Sequence, residues 1–347
     1  MKFQLAINLE HMEASVAMGD VARHTLEMVQ MAEAGGFEIA WAAEHHALEM
    51  TIAPNPFSIL AWWSQHTLTI HLGTACVAAA YWHTIKAAGE AALIDLISGG
   101  RLEFGIGSGV YQRKFDRMAP GLKQPDAWQY MQEILPVVRA LWKGDVVHER
   151  NSGPSRRRPR AQSQCNPRSR SGSRPARRSP PITYDCAVKN GCNVISWPLT
   201  LGMDEAQTYM SRLDEAVAAN PGKKRPVMAM KRHTAVNDRK EDWMAPVRAA
   251  QRQLSQFETL FKNLGDVKTG FPAETPLDSI ANRAEYDPKM LSTNLMFGTP
   301  DEVVEKLKLY QALGVDSFIY YASMGFGLAE QKRSLERFCK NVIPVVK

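Results

Sequence analysis

Short apolar runs alternate with amphipathic stretches along most of this chain. Seven runs have the apolar, β-rich character of buried strands, at residues 3–9, 37–43, 68–77, 102–106, 192–197, 227–236 and 315–321. Stretches with helical spacing of apolar residues separate them, at residues 18–35, 55–63, 84–98, 125–143, 184–190, 204–219 and 240–263 and again after Pro300. This alternation predicts a parallel sheet covered by helices.

One stretch breaks the pattern. Residues 150–181 hold ten arginines and no acidic residue, and they lack Val, Leu, Ile, Phe, Tyr and Trp. The net charge is +6, so the rest of the chain carries 6 − 10 = −4. A basic chain can indicate a nucleic-acid partner, but this stretch has no aromatic side chain to stack on bases. We expect no nucleic-acid partner, although an arginine-rich binding arm and a solvated linker stay open as interpretations.

A shifted reading frame explains this stretch better. With suitable synonymous codons, a one-nucleotide shift between Arg150 and Arg177 gives EFWAFPTATSGPKPVQSPIPIWVAAR. That translation contains a proline-rich loop and a buried strand, PIWVAA, and ordinary protein pattern resumes at Ser179. We hypothesise two compensating frame errors, near residues 150 and 178. The hidden strand would lie between the fourth strand and the strand that starts at Cys192.

The hidden strand completes eight strand–helix units, which predict one (β/α)8 barrel (a TIM barrel) over residues 1–347 with a disrupted Arg-rich segment near the fifth strand. Functional residues of such barrels lie at the carboxyl ends of the strands. That rule selects four positions, which are Glu44-His45-His46, Ala75-Cys76, Gly107-Ser108-Gly109 and Ser196-Trp197.

Each position has a structural interpretation beside the functional one. The imidazoles of His45 and His46 suit acid–base chemistry, but they could also cap a helix, pack, or bind a metal with further ligands. The glycines of Gly105–Gly109 let backbone N–H groups approach a phosphate, yet they lack the full GxGxxG spacing of a dinucleotide fold. The small Ala75-Cys76 pair leaves room for a flat ring or simply packs closely. Trp197 stands at a strand exit that faces the expected site.

Composition narrows the class of protein further. The chain is 45% hydrophobic and 22% charged, which is globular, and no apolar run reaches the ~20 residues that span a bilayer. Its beginning lacks the features of a secretory signal. The five cysteines are scattered and form no CxxC pattern. We therefore expect a cytoplasmic protein with no membrane contact and no metal site.

The order of motifs resembles the bacterial luciferase-like flavin-dependent monooxygenases. The motifs are AxxGGFEIAWAAEHH, NPF, LGTACV, DLISGGRLEFGIGSGVY and GTPDEVVEKL, and the resemblance covers nearly the whole chain apart from residues 150–178. It implies a barrel, often a homodimer, that binds reduced FMN supplied by a separate flavin reductase. It also implies an oxygen atom transferred from O2 to a small organic substrate through a flavin hydroperoxide.

The resemblance also implies roles for residues. His45 matches the catalytic histidine, framed by Glu44 and His46, and Ala75-Cys76 matches a non-proline cis peptide beneath the flavin ring. Gly107, Ser108, Gly109 and Tyr111 match the loop near the flavin phosphate, although luciferase has an arginine at the position of Ser108. The second half of that phosphate site is expected around Ser179, and residues 265–290 match a mobile lid.

These implications leave two other functions open. One is hydride transfer from a deazaflavin without oxygen, and the other is a non-catalytic or damaged flavin-binding relative. Because the Arg-rich stretch replaces one barrel strand, we expect the chain as written to bind FMN poorly or to fold poorly. Aldehyde, alkane, sulfonate and cyclic ketone substrates all fit the sequence.

Overall fold

The computed structural model describes residues 1–12, 15–46, 50–109, 112–144, 181–262, 266–268, 271–272, 275–280 and 282–346. The described strands are β1 Lys2–Ala6, β2 Ile39–Ala42, β3 His71–Thr74, β4 Val77–Ala78, β5 Leu102–Glu103, β6 Ile106–Gly107, β7 Val194–Ser196, β8 Met228–Val236, β9 Val267–Lys268, β10 Phe271–Pro272, β11 Met296–Gly298 and β12 Ser317–Tyr321. The α-helices are α1 Met18–Ala34, α2 Pro56–Ser64, α3 Thr84–Ile97, α4 Gln112–Met118, α5 Ala127–Trp142, α6 Pro181–Asn190, α7 Met203–Ala218, α8 Met244–Lys262, α9 Leu277–Ile280, α10 Pro288–Asn294, α11 Pro300–Ala312, α12 Leu328–Arg337 and α13 Ile343–Val346. None of the described helices is long and apolar enough to cross a membrane.

Seven parallel strands form a curled sheet in the order β7-β8-β12-β1-β2-β3-β5. The last strand, β12, pairs with the first, β1, in register from Lys2 opposite Ser317 to Ala6 opposite Tyr321. The strand β11 pairs with the far end of β8. These seven strands confirm the seven sequence-predicted strands, and the mixed α/β architecture with helices outside the sheet confirms the predicted fold class.

The curled sheet has two ends, β5 and β7. In the described part of the chain, β5 pairs with β3 alone and β7 pairs with β8 alone. A cavity of about 510 Å³ touches both ends, and its described lining includes Leu102, Phe104, Cys192 and Asn193. The predicted fifth strand falls in residues 145–180, which lie outside the described residues, as does all but Pro181 of the Arg-rich segment.

The alternation of side chains along the strands produces two apolar layers. One face packs against the helices, and the other fills the barrel with Ala6, Trp41, Ile195, Ala229, Ile319 and Tyr321. Gly73 is required next to this inner layer, because a Cβ there would lie 2.1 Å from the Trp41 ring. The inner layer closes the middle of the barrel and leaves its two mouths as the places for a ligand.

Two features of the fold differ from the sequence prediction. The apolar run 68–77 is not one strand, because β3 ends at Thr74 and β4 begins again at Val77. The polar helix α4 follows the glycine loop and was not predicted, since its sequence, QRKFDRM, has little apolar periodicity. Both features lie at the carboxyl ends of the strands, where the candidate site residues are.

Candidate active site

The exits of β1, β2, β3 and β6 converge on one mouth of the barrel. Two short antiparallel bridges, His45 with Ala53 and Glu10 with Thr51, tie the first two exits to the segment that precedes α2. The His45 N–H donates to the Ala53 carbonyl at 2.9 Å, and the Ala53 N–H donates back at 3.2 Å. The predicted histidine is therefore held by its backbone on both sides.

Glu44 is a buried carboxylate with three hydrogen-bonding neighbours. Its Oε1 lies 2.5 Å from His46 Nε2. Its Oε2 accepts from the Ala78 N–H at 2.7 Å and from Trp82 Nε1 at 2.9 Å. Glu44 thus joins the exits of β2 and β3 and contacts His46.

His45 is buried and faces a residue that the sequence motifs do not contain. Lys114, on α4, places Nζ 2.5 Å from His45 Nδ1, and both side chains are buried. No local signal marks Lys114, because α4 reads as an exposed polar helix. Only the three-dimensional structure brings this residue to the exit of β2.

The peptide bond between Ala75 and Cys76 is cis, which is the geometry that the resemblance implies. The Ala75 N–H donates to the Ala42 carbonyl at 2.7 Å. On the other side, Thr74 Oγ1 donates to the Gly105 carbonyl at 2.7 Å and accepts from the Gly105 N–H at 2.9 Å. A Cβ on Gly105 would lie 2.0 Å from the Thr74 carbonyl oxygen, so only glycine fits there.

The glycine loop after β6 lies against an aromatic wall. Gly107 pairs with Ala78 in the short β4–β6 ladder. Gly109 has φ +81°, and a Cβ on it would lie 2.9 Å from the Phe115 ring. Ser108 Oγ donates to the Gly109 carbonyl at 3.4 Å, a long bond that holds Ser108 only weakly. Two predicted partners of this loop, Tyr111 and Ser179, lie outside the described residues.

Tyr81 is a site residue that sequence reasoning missed. Its ring lies edge-on to His46, 5.4 Å between centroids, and 5.1 Å from the Phe115 ring. Its hydroxyl is buried, has no hydrogen-bond partner among the described residues, and lies 3.8 Å from the Cβ position of Gly109. Burial and the Glu44 charge raise the pKa of this phenol, so it stays protonated and can donate.

Trp197 lies across the mouth, among residues from β8 and β12. Its ring is 5.4 Å from those of both His233 and Tyr321, and the Lys231 ammonium lies 3.8 Å from its centroid. Ala75 packs into the same inner cluster. The structure therefore brings Trp197 and the cis peptide to one apolar layer, as their strand-exit positions predict.

A second buried carboxylate, Glu10, lies beside this cluster. It accepts hydrogen bonds from the Tyr321 hydroxyl, from Asn8 Nδ2 at 3.3 Å and from Gln253 Nε2 at 2.6 Å. Burial raises the pKa of Glu10 despite these donors. Gln253 also bonds His233 Nε2 at 3.0 Å. Nothing in the sequence marked Glu10, because two of its partners, Gln253 and Tyr321, are far along the chain.

His233 is held neutral by its surroundings. Burial, followed by the charges of Lys231 and Arg232, lowers the pKa of His233 to about 3. No group of three or more His, Cys, Asp or Glu side chains in the described ranges is placed to bind a metal ion.

The family model of the luciferase-like monooxygenases matches residues 1–317. The chain belongs to this family. The oxygenase component of a flavin-dependent trigonelline monooxygenase from Acinetobacter baylyi is 34% identical over 99% of this chain and 95% of its own length. This membership makes the chain a monooxygenase, as its motifs indicate.

Solved structures agree with the luciferase-like fold. The oxygenating constituent of 3,6-diketocamphane monooxygenase from Pseudomonas putida, a type II Baeyer-Villiger enzyme in complex with FMN, superimposes with a TM-score of 0.75 at 18% identity, covering 100% of this chain and 99% of that one. A secondary alcohol dehydrogenase dependent on F420, a deazaflavin, gives 0.73 at 16% identity, covering 100% and 99%. These likenesses show that this monooxygenase has the barrel fold. One neighbour binds FMN and the other depends on F420, so the likenesses do not distinguish between the two cofactors.

Proposed function

We propose that this luciferase-like monooxygenase uses reduced FMN and O2 to insert one oxygen atom into a small organic substrate. The observation that carries the proposal is the pair of small side chains, Ala75 and Cys76, beside the buried His45 at the exits of β2 and β3. Two small side chains at that point leave the backbone open to a flat ring. The whole-length likeness to a flavin-dependent oxygenase component supports the same cofactor class.

The site fits a flavin on further grounds. The buried Tyr81 hydroxyl lacks a partner among the described residues and lies next to the glycine loop, where a polar ligand atom would satisfy it. The backbone of the glycine loop, at Gly107, Ser108 and Gly109, would approach the flavin phosphate at the same place. The phosphate site would be completed by Tyr111 and Ser179. Bound reduced FMN would supply the reaction with O2.

The protein groups would position the reactants and move a proton. His45 would exchange that proton at an imidazole nitrogen, and Glu44 and His46 would fix the wall beside it. Trp197 would bound the opposite side of the cavity. Water can destroy a reactive intermediate before it meets the substrate. The apolar inner layer below the mouth and closure of the 265–290 segment would both keep water away from the reaction.

The substrate and partners are part of the same proposal. The Acinetobacter relative acts on trigonelline, and the rings of Trp197, Tyr321 and His233 would suit a flat heteroaromatic compound, so pyridine-type substrates come first. A separate flavin reductase would supply the reduced FMN, which fits the expected cytoplasmic location. A homodimer would cover the apolar face of α3, where Ile85, Leu93, Leu96 and Ile97 are exposed.

An anaerobic titration of the purified chain with reduced FMN, reduced riboflavin and reduced F420 tests the cofactor. We expect FMN to be preferred, with weak binding by the chain as written and tighter binding after residues 151–176 are replaced by the shifted-frame translation. Admitting O2 with trigonelline then tests the reaction. His45→Gln should keep FMN binding and lower product formation by at least ~100-fold.

Other results would favour the alternatives. Preference for F420, with no O2 consumed, would indicate hydride transfer, for which the fold likeness to the F420-dependent dehydrogenase is the supporting observation. FMN binding without O2 consumption would indicate a non-catalytic relative. Failure of both the written and the restored chain to bind any flavin would contradict the proposal.

A further inference from the structure

A buried lysine lies against the candidate catalytic histidine. Lys114 is 5% exposed and His45 is 4% exposed, and the distance from Lys114 Nζ to His45 Nδ1 is 2.5 Å. Burying an ammonium is costly unless it is hydrogen-bonded, and His45 Nδ1 is one acceptor in contact with Lys114. None of the sequence motifs includes Lys114.

The chemistry of the two groups determines where the protons lie. A lysine ammonium has three N–H donors and no acceptor, so His45 Nδ1 must accept and cannot carry a proton. A neutral imidazole carries one proton, which must then be on Nε2. A second proton on the ring would place an N–H and a like charge against Lys114, and both are unfavourable.

The surrounding structure keeps the two side chains together. On the lysine side, the adjacent Phe115 is fully buried and packs on Tyr81. On the histidine side, both backbone hydrogen-bonding groups of His45 are bound to Ala53. Neither residue can move away without breaking these contacts.

Among the described residues, three other ionisable groups near His45 have partners or surroundings of their own. The Glu44 carboxylate is taken by His46, the Ala78 N–H and Trp82. The Tyr81 phenol is held in its neutral form by burial. Glu10, beyond the Thr51–Ala53 segment, accepts bonds from its own set of donors.

We propose that Lys114 is a positioning residue that holds His45 as a neutral imidazole with its proton on Nε2. The proposal rests on the proposed acid–base role of His45 and specifies how that residue gives up a proton. As Nε2 releases its proton, Lys114 Nζ transfers one to Nδ1, so the imidazole stays neutral and the lysine becomes an amine. Lys114 acts only through His45.

NMR of the full chain with 15N-labelled histidine tests this directly and needs no flavin. The His45 signals are identified by their loss in His45→Gln. In the wild type we expect Nε2 protonated and Nδ1 unprotonated from about pH 8 down to about pH 5. Lys114→Met should let His45 take up a second proton near the ordinary histidine value of ~6.5. Lys114→Arg should restore the neutral form, and Lys123→Met, which removes an exposed lysine, should change nothing.

Two results would overturn the inference, namely a protonated Nδ1 in the wild type or the same titration of His45 in the wild type and in Lys114→Met. The wild-type measurement stands even if the methionine variant fails to fold. Turnover with O2 is measured separately in His45→Gln. If Lys114→Met changes the titration of His45 while His45→Gln keeps full turnover, Lys114 has the assigned role and the acid–base role of His45 is wrong.

Discussion

Restoring the shifted frame should stabilise the barrel. The change replaces residues 151–176 with EFWAFPTATSGPKPVQSPIPIWVAAR and leaves every other residue as it is. Its PIWVAA strand would enter between β5 and β7, the two ends of the curled sheet that share the cavity of about 510 Å³. Parallel strands at such a position pair on both sides, so the new strand would join both ends.

The magnitude follows from what the new strand buries. Burying its Ile, Trp and Val contributes about 2 kcal/mol each, and about four ladder hydrogen bonds contribute about 1 kcal/mol each. Ordering the backbone of about five residues costs about 1.5 kcal/mol each. The difference is a net stabilisation of about 2.5 kcal/mol, which corresponds to a rise in Tm of about 3–4 °C for a chain of 347 residues.

Thermal unfolding of both chains, followed by circular dichroism, measures the change. Hydrogen exchange gives a local readout, because amides of Leu102–Phe104 and Val194–Ser196 should become more protected in the restored chain. The matched control is the restored chain with serines in place of the Ile, Trp and Val of the new strand, which keeps the length and removes the apolar side chains. An unchanged Tm, or the same rise in the serine control, would refute the idea that an apolar strand belongs between β5 and β7.

Three further predictions follow from single positions. Gly105→Ala should destabilise the chain by more than about 3 kcal/mol in urea unfolding, because its Cβ would lie 2.0 Å from a backbone oxygen. The control is Gly89→Ala on a helix, where the new Cβ meets open space and should stabilise the chain by about 0.5–1 kcal/mol. The pKa of His233 is lowered in the folded state, so the unfolded chain binds more protons below the ordinary histidine pKa of about 6.5. The free energy of unfolding should therefore fall by about 2 kcal/mol between pH 6.5 and pH 5. His233→Gln should remove that part of the pH dependence. The same slope of unfolding free energy against pH in the variant and the wild type would contradict the assignment to His233. Leu96→Glu should dissociate the proposed dimer in sedimentation experiments, while Leu309→Glu, at an exposed leucine of α11, should leave its mass unchanged.

The sequence predicted those features that depend on local pattern. The seven strands follow apolar runs, and the rule that barrel sites lie at strand exits selected His45, Ala75 and Trp197. The cis geometry at Ala75-Cys76 followed from the family resemblance, since a local pattern of small residues does not distinguish it from close packing. The roles of these residues stay predictions.

The site residues that the sequence did not predict depend on contacts between distant segments of the chain. Lys114 reaches His45 across 69 positions, and Tyr321 reaches Glu10 across 311 positions. Neither partner stands out locally, because a lysine on a polar helix and a tyrosine in an apolar strand are both ordinary. Tyr81 was missed for a related reason, since its burial beside Gly109 exists only once β4 and β6 pair.

The two ionisable clusters of the mouth depend on different strands. The His45 cluster is built on the exits of β2, β3 and β6 and on α4, and the Glu10 cluster on the exit of β1 together with β8, β12 and α8. Their link is the segment Thr51–Ala53, which bridges Glu10 on one side and His45 on the other. None of the groups in either cluster lies on β5 or β7 itself, although β3 pairs with β5 and β8 pairs with β7. Errors confined to residues 150–178 would therefore weaken the barrel and the phosphate end of a flavin site around Ser179 while leaving the groups that place protons intact. That separation explains how one chain can keep the full set of family motifs at its mouth while we expect it to bind FMN poorly.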